Sequence, residues 1–537
     1  MATYTTDVVV YGNSMCALLA AKAISARGKT IALVNDTTYA GGLTRGGLTN
    51  MDIGHSSTRA TILGGYTRSA FLDKLDVYYS RAAGTLTYNP EPKAVTSIVT
   101  GQLLTVAGLT NFTAKRVSAV SKTGTKIDSI VAGGDTFTAS VFLDASYCVD
   151  LAAMAGASCI TGREAAVTYN ESTANFTGNG AIGYPSGVLP YNFSVLDSNG
   201  QRIYGCGPIP RSDLPNGSAY YSLPGFNFRV CLTNSASKKV AFTAPSGYDA
   251  SRYQILLNLL ANNPTIVKLV GDTSSTNDAI FGGGALYTGG SYNKWDCNTK
   301  AAVSSNLYHA AFGENNISWA YIRGNTTTRT AIMTEVYKWI AGLLYFCTYD
   351  PSMLTTTNGT AIQVDAQQYG YCNDEFSGNW FGQQYFPSEM YVRAGRRLVG
   401  QYVMTEADVK TGSRVPDPVC RFDYTIDHHA HQRYPLSIDV TRNSLEGGLG
   451  RGIPTDYYEI PWRAMLPVAG QADNLIVPWG ISSTHIAWGA VRLELNSMMQ
   501  GEAAGTAACL AIDKGISPIN LSYALLRPEL LAQGALI

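Results

Sequence analysis

Residues 8–11 form a short apolar run that ends at Gly12, residues 17–26 continue with small and apolar side chains at helical spacing, and residues 30–34 return to a branched apolar run. This pattern predicts strand, turn, helix and strand, the order in which a turn between strand and helix meets a phosphate. Far downstream, residues 475–477 are short, branched and apolar, as a buried parallel strand is. Gly501, Ala503, Ala504, Gly505, Ala507 and Ala508 then predict a helix whose small side chains admit a neighbouring backbone. Between these ends the pattern predicts strands around 226–233 and helices around 332–346 and 388–404. The Gly- and Ser-rich stretches 281–290 and 355–359 read as surface loops or active-site rims. No internal repeat stands out.

A chain of 537 residues exceeds the size at which one core stops growing, so at least two domains are expected. Charged residues make up 15% and cancel to a net charge of zero, which excludes the basic footprint of a nucleic-acid binder. No run approaches the uncharged apolar length of a membrane span, and the chain enters its first strand without a signal peptide, as a mature or trimmed chain does. Acceptor triplets for N-glycosylation at Asn111, Asn170, Asn175, Asn192, Asn216, Asn316, Asn325, Asn358 and Asn520 nevertheless favour a secreted glycoprotein. Ten Cys permit disulfides without revealing their pairing. None forms a close CxxC pair, so no metal is expected.

The turn after the first strand is a degenerate dinucleotide fingerprint, with Gly12, Ser14 and Ala17 at the three glycine positions and Met15 and Cys16 opening the helix. Gly12 makes the tight turn, Ser14 offers a hydroxyl to phosphate, and the helix N-terminus supplies N–H groups and a dipole. At the end of the second strand Asn35 takes the ribose-binding position, with Asp36 as the fallback. The following Gly41, Gly42, Leu43, Thr44, Arg45, Gly46 and Gly47 leave room for a ligand to lie against backbone.

Taken with the C-terminal block, these residues resemble the FAD-dependent oxidoreductase family of the glutathione-reductase-like flavoprotein superfamily, specifically the group resembling xanthan-degradation-associated FAD oxidoreductases. The resemblance runs through residues 139–146, Gly162-Arg163-Glu164, residues 227–233, 294–298, 342–346 and 391–400, and is most specific at Ile460-Pro461-Trp462-Arg463, at 474–480 and at 501–505. It implies an α/β fold with a Rossmann-like FAD-binding domain of glutathione-reductase type, made of residues 1–160 and 455–537. Residues 161–454 would be an inserted α+β substrate or cap domain. It adds Asp144, Ala145 and Gly480 to the cofactor site, with a helix starting at Gly501, Ala503 and Ala504 that aims its dipole at the flavin and stabilises the anionic reduced form. Pro478-Trp479 and Ile481 depart from the family pattern, which shifts ribityl recognition toward backbone groups.

The resemblance places His485 near the flavin ring. Asp427-His428-His429-Ala430-His431, close after Tyr424, offers further bases, one of which would contact substrate, with Asp427 to orient a neighbour. A neutral imidazole suits alcohol oxidation, taking the hydroxyl proton while hydride leaves carbon for flavin N5. Arg229 and Arg393 are candidates for fixing an anionic or polyhydroxylated substrate, with a buried salt bridge as the alternative for either. Arg45, Arg463 and Arg492 lie nearer the cofactor blocks, and His55 is a candidate covalent tether. The leading expectation is a secreted oxidase or dehydrogenase acting on a C–H/alcohol group of a sugar-like or secondary-metabolite substrate, with oxygen or a quinone as acceptor. Two alternatives stay open: CH–CH chemistry on a carboxylated substrate, and a non-catalytic glycan-binding protein on a flavoenzyme scaffold.

Overall fold

The computed structural model describes the chain apart from residues 50, 53–58, 172–194, 208–218, 220–222, 272–277, 291–292, 300–302, 304, 306, 313–315, 413, 430–431, 436–442 and 447–455. Its larger sheet contains β1 (Thr3–Tyr11), β2 (Ile31–Val34), β3 (Leu109–Phe112), β4 (Val117–Thr123), β5 (Lys126–Ala132) and β6 (Asp135–Asp144). They are ordered β3-β2-β1-β6-β5-β4, and the distant strand Leu475–Ile476 also pairs with β6. Pairing is parallel among β3, β2, β1, β6 and Leu475–Ile476, while β4 and β5 form an antiparallel excursion before β6. Tyr11 stands opposite Val34 on one side and Asp144 on the other. Gly12, Asn35 and Ala145 therefore leave the sheet at one level, at the carboxyl edge where open parallel sheets form ligand crevices.

Helix α1 (Met15–Ser25) packs between this sheet and the long helix Glu494–Lys514, and Met15 through Ala21, Ala23 and Ile24 are all buried. Each large apolar side chain buried there, such as Leu18 or Leu19, contributes about 1.5–3 kcal/mol. The two helices touch backbone to backbone. A β-carbon at Gly501 would lie 2.1 Å from the Cys16 carbonyl oxygen, and one at Gly505 would lie 2.4 Å from that of Ala20. Repeating small residues every fourth position thus makes one seam on each helix, and a larger side chain would force them apart.

The chain between β6 and Leu475–Ile476 carries a second, mixed sheet of six strands: Lys268–Val270, Ala279–Ala285, Lys294–Thr299, Val230–Thr233, Gly370–Cys372 and Lys239–Val240, in that order. The result is an α/β fold in which a β-rich cap region is inserted into a Rossmann-like nucleotide-binding region. The helix Thr326–Tyr349, capped by Asn325, spans the region predicted at 332–346. Three local expectations fail. Residues 282–284 lie in the buried strand Ala279–Ala285, where Gly283 lets the neighbouring strand approach: its β-carbon would lie 2.6 Å from the Asp296 carbonyl oxygen. Residues 357–366 form a helix capped by Thr356. Residues 388–404 form no helix and run as extended chain with the short strand Arg397–Leu398.

A buried lysine pins the two regions together. The Lys294 ammonium lies 2.6 Å from Glu91, 2.8 Å from Asp374 and 2.6 Å from Glu375. The three carboxylates approach one another closely enough to ligate a cation, and the ammonium fills that role. All ten cysteines are free thiols, Cys231 and Cys372 packing together in a small apolar cluster. Among the described residues no helix is long and apolar enough to cross a membrane.

Candidate active site

At the crevice, Gly12 has φ +122°, and a β-carbon on it would stand 2.6 Å from the Ala145 carbonyl carbon. The position demands glycine both for its dihedral and for the contact. Ser14 caps α1, accepting from the Ala17 N–H at 3.2 Å and donating to the Ala145 carbonyl at 2.6 Å. Its hydroxyl is thus committed to the fold, which corrects the expectation that it donates to phosphate. The Met15 and Cys16 side chains are wholly buried. What the turn presents is the N–H row that every helix N-terminus leaves unpaired. Asn35 is buried and donates to Asn111 Oδ1 at 2.5 Å, while its own Oδ1 has no partner among the described residues. Asp36 is half-buried; burial raises its pKa, with Arg329 acting against this. Asp144 is spent internally, accepting from Ser146 and from the Ala152 N–H, and burial pushes its pKa up to about 6.

The glycine-rich segment folds as the short helix Gly42–Arg45. The Leu43 N–H donates to the Tyr147 hydroxyl at 2.8 Å, and the Thr44 hydroxyl donates to Glu494 at 2.9 Å. Arg45 turns away, donating to the Ala40 carbonyl at 2.9 Å and lying over the Tyr39 ring. Gly46 lies against Glu389, and Gly47 against the Arg229 carbonyl. Gly480 packs on Val149, and its carbonyl accepts from the Leu398 N–H.

Beside this segment lies a narrow cleft with a cavity of about 20 Å³, lined among others by Leu43, Asp52, Tyr391, Arg393, Arg492 and Glu494. Arg393 and Arg492 line it, and Arg229 lies behind them, 5.3 Å from the Tyr391 ring. Arg229 forms a two-pronged bond to the buried Asp296, at 2.6 and 2.7 Å. Arg492 donates to the Tyr391 hydroxyl at 2.9 Å and to Asp427 at 3.3 Å. Arg393 is buried, and among the described residues it donates only to neutral acceptors, the Gly225 carbonyl and Asn298 Oδ1, leaving its Nε without a partner there. Burial, with Arg229 and Arg492 nearby, lowers the Arg393 pKa to about 9. His429 Nε2 lies 3.7 Å from Asp427 Oδ2, and its pKa is held well below the usual histidine range by burial, then by Arg393, Arg492 and Arg229. Asp52, exposed at the rim, has its pKa raised to about 6 by the surrounding protein and by Asp427, with the arginines and the Tyr424 hydroxyl acting against this.

A family profile described as FAD dependent oxidoreductase matches residues 7–530. The chain belongs to that family. Among solved structures it is similar to the bacillithiol disulfide reductase Bdr from Staphylococcus aureus, at 14% identity over 27% of this chain and 39% of that one, with a TM-score of 0.19. It is also similar to L-proline dehydrogenase from P. horikoshii, at 12% identity over 30% and 59% with a TM-score of 0.24. A third is NikD, an amino acid oxidase essential for nikkomycin biosynthesis, at 13% identity over 30% and 56% with a TM-score of 0.22. The chain thus covers 39% to 59% of these three proteins, and scores this low support no statement about its substrate. No curated protein matches it.

As an FAD dependent oxidoreductase the chain binds FAD, and the crevice fits that cofactor. Asn35 Oδ1, unpartnered among the described residues, is a ready acceptor for a ribose hydroxyl, and the α1 N-terminus offers donors to a pyrophosphate. The second helix dipole expected at the flavin starts at Glu494, not Gly501. Gly501, Ala503 and Ala504 lie two turns inside that helix, with Gly501 pressed on Cys16, so the small residues serve helix packing while the helix start lines the cleft. Burial raises the Glu494 pKa to about 7.

Several expected catalytic residues lie elsewhere. His485 and His428 stack at 4.2 Å between ring centroids, both buried. The His485 N–H donates to Glu164, and His428 Nε2 is 3.2 Å from the Ile486 carbonyl, its pKa lowered to about 3 by burial and then by Arg492. His485 opens the helix His485–Val491 and His428 packs against it; among the described residues no histidine is in the cleft wall itself, but His429 differs from this pair in lying beside Asp427, the partner of the cleft residue Arg492. Arg229 is held by Asp296, which corrects its role as a substrate clamp. Arg463 bonds Asp417. Asp427, Tyr424 and Arg393 do come together. His55 and His431 lie outside the described residues. The sequence named His429 as one of three candidate bases without separating it from His428 and His431, gave no role to Asp52 or Tyr391, and placed Arg492 only near the cofactor. The one signal for His429 was its direct adjacency to His428 in a segment where side chains alternate.

Proposed function

We propose that this FAD dependent oxidoreductase removes hydride from the carbon of a small-molecule alcohol, sugar-like or a secondary metabolite, and leaves a carbonyl. The observation that carries this reading is His429 beside Asp427, which is itself paired with Arg492, a residue of the cleft that the Glu494 helix start also lines. Bound FAD supplies a hydride acceptor at N5. His429, kept neutral by burial and the guanidiniums, takes the hydroxyl proton at Nε2, and Asp427 stabilises the imidazolium. Tyr391, Tyr424 and Asp52 orient the substrate's polar groups at the cleft mouth. The α1 N-terminus, Asn35 and the Glu494 helix start hold and polarise the cofactor.

The finer membership, in the glutathione-reductase-like group resembling xanthan-degradation-associated enzymes, rests on the sequence blocks named above. Oxygen or a quinone is the proposed acceptor. Secretion rests on the acceptor triplets, and that support narrows. Asn316 and Asn358 are buried, and the Asn316 and Asn325 side chains cap helices, a structural reason for Asn at those positions. Asn170 and Asn520 remain exposed, and a mass shift on enzymatic deglycosylation of the native protein checks them.

Stopped-flow mixing with a panel of alcohols and sugars should bleach the visible flavin band. If none reduces the enzyme while dithionite does, alcohol oxidation is excluded. The arginines that line the cleft equally suit desaturation beside a carboxylate, and a product with a new conjugated double bond in place of a carbonyl would establish that second reading.

A further inference from the structure

We propose that the substrate carries a carboxylate and that Arg393 is the residue that grips it. This rests on the hydride-removal reading above and adds the class of substrate. The charges around the cleft are paired residue by residue. Arg229 has Asp296, and Arg492 has Asp427. Arg393 has no carboxylate within salt-bridge reach among the described residues, although it is 2% exposed and lines the cleft. Asp52 does not fill this role; its field is shared with Arg229, Arg492 and Asp427.

A buried guanidinium with only neutral partners is costly, and the cost is relieved when an anion arrives in the same low-dielectric place. Asp52 and Glu494 also line the cleft, their pKa values raised to about 6 and about 7, so the balance of charge leaves room for a monoanion at most. A planar carboxylate matches the fork of a guanidinium, and a dianionic phosphate would overfill the balance. The neighbours agree with this geometry, since Arg393 also lies 4.7 Å from the Tyr391 ring, whose hydroxyl is tied to Arg492. An aromatic wall and two arginines thus frame the site on one side, with the Asp427–His429 pair nearby.

Docking there has a chemical consequence. After burial itself, Arg393 is the first of the guanidiniums that hold His429 neutral and weakly basic. Neutralising Arg393 with the substrate's own carboxylate removes that opposition, so the imidazole gains basicity only when the correct substrate is seated. A hydroxy acid or a sugar acid therefore meets a stronger base than the neutral alcohol of the same skeleton.

The test uses the FAD-loaded enzyme and simple probes that cannot be oxidised. Acetate and benzoate, titrated against acetamide and benzamide, should perturb the visible flavin spectrum with saturation, and the amides should bind at least about 10-fold more weakly. Arg393→Lys, which keeps the charge and loses the fork, should weaken benzoate by about 10-fold or more while retaining the flavin spectrum. Arg393→Gln should weaken it further. Equal binding of acid and amide to the unmodified enzyme overturns the proposal and needs no variant. Undiminished benzoate binding by a folded, FAD-loaded Arg393→Gln protein also overturns it. Flavin reduction by neutral sugars as fast as by the matching uronic acids sinks the carboxylate inference and leaves hydride removal standing. Saturable, Arg393-dependent benzoate binding without reduction by any alcohol supports the anion site and sinks alcohol oxidation.

Discussion

The nucleotide crevice and the substrate cleft adjoin, yet they are built from different materials. In the crevice the working groups are backbone N–H groups, helix ends and the absence of side chains at Gly12 and Gly42, close in sequence to strands held in register. In the cleft the working groups are the side chains of Asp52, Tyr391, Arg393 and Arg492, with Asp427 and His429 beside Arg492. A backbone site tolerates few substitutions because the fold itself is the ligand. A side-chain site can be disabled one function at a time while the fold stands.

The strongest way to break this contrast is Gly12→Val. A side chain there meets the Ala145 backbone at 2.6 Å and requires a dihedral that a β-branched residue avoids. The purified protein is expected to be colourless, with almost no FAD retained, and a flavin spectrum of normal intensity would show that the crevice is not a backbone site. In the cleft, His429→Gln should lower the rate of substrate-driven flavin reduction by about 10²–10⁴-fold. The FAD content should be unchanged and Tm should move by less than about 2 °C. A reduction rate equal to the parent enzyme removes His429 as the base.

Arg229 tests where the boundary between the two kinds of site falls. Its fork is closed on Asp296 within the second sheet, so Arg229→Met should destabilise the protein by about 3–5 kcal/mol by stranding a buried carboxylate. The double change Arg229→Met with Asp296→Leu should recover most of that loss in denaturant melts. If Arg229→Met leaves stability intact and raises KM, Arg229 belongs to the cleft after all.

How much of each site was legible in the sequence follows from the same contrast. The strand, turn and helix around Gly12, the ribose position at Asn35 and the strand at 475–477 could be read because local periodicity and glycine spacing encode them. The helix seam at Gly501 and Gly505 was visible as a run of small residues, but not its partner: close packing on α1 and cofactor contact leave the same signature. Ser14 reads as a phosphate donor until the Ala145 carbonyl is seen 2.6 Å away. The cleft was less legible, since Asp52, Arg393 and His429 are distant in sequence and carry no shared motif. Which of His428, His429 and His431 serves was not legible, because it depends on which face of an extended segment looks inward. Arg229 and Arg393 looked alike in sequence, and only the position of Asp296 separates a structural arginine from a free one.

The smallest expected effect probes how each region handles negative charge. In the cleft Asp296 and Asp427 are matched with arginines, whereas along the long helix Glu502 is buried with only backbone donors, among them the Thr67 N–H at 3.0 Å. Burial accordingly pushes the Glu502 pKa from the usual carboxylate value of about 4.3 up to about 8. Between those two values the native state holds a proton that the unfolded state has released, so stability is undiminished below the unfolded pKa and falls as pH rises toward the folded one. Glu502→Gln keeps an acceptor for the Thr67 N–H and abolishes the ionisation. Its Tm should match the parent at pH 5 and exceed it by roughly 1–3 °C at pH 9. A parent protein whose Tm does not decline relative to the variant across that interval would mean that Glu502 is charged in the fold. The long helix would then resemble the cleft, with a charge partner that the geometry around Gly65 and Thr67 does not supply.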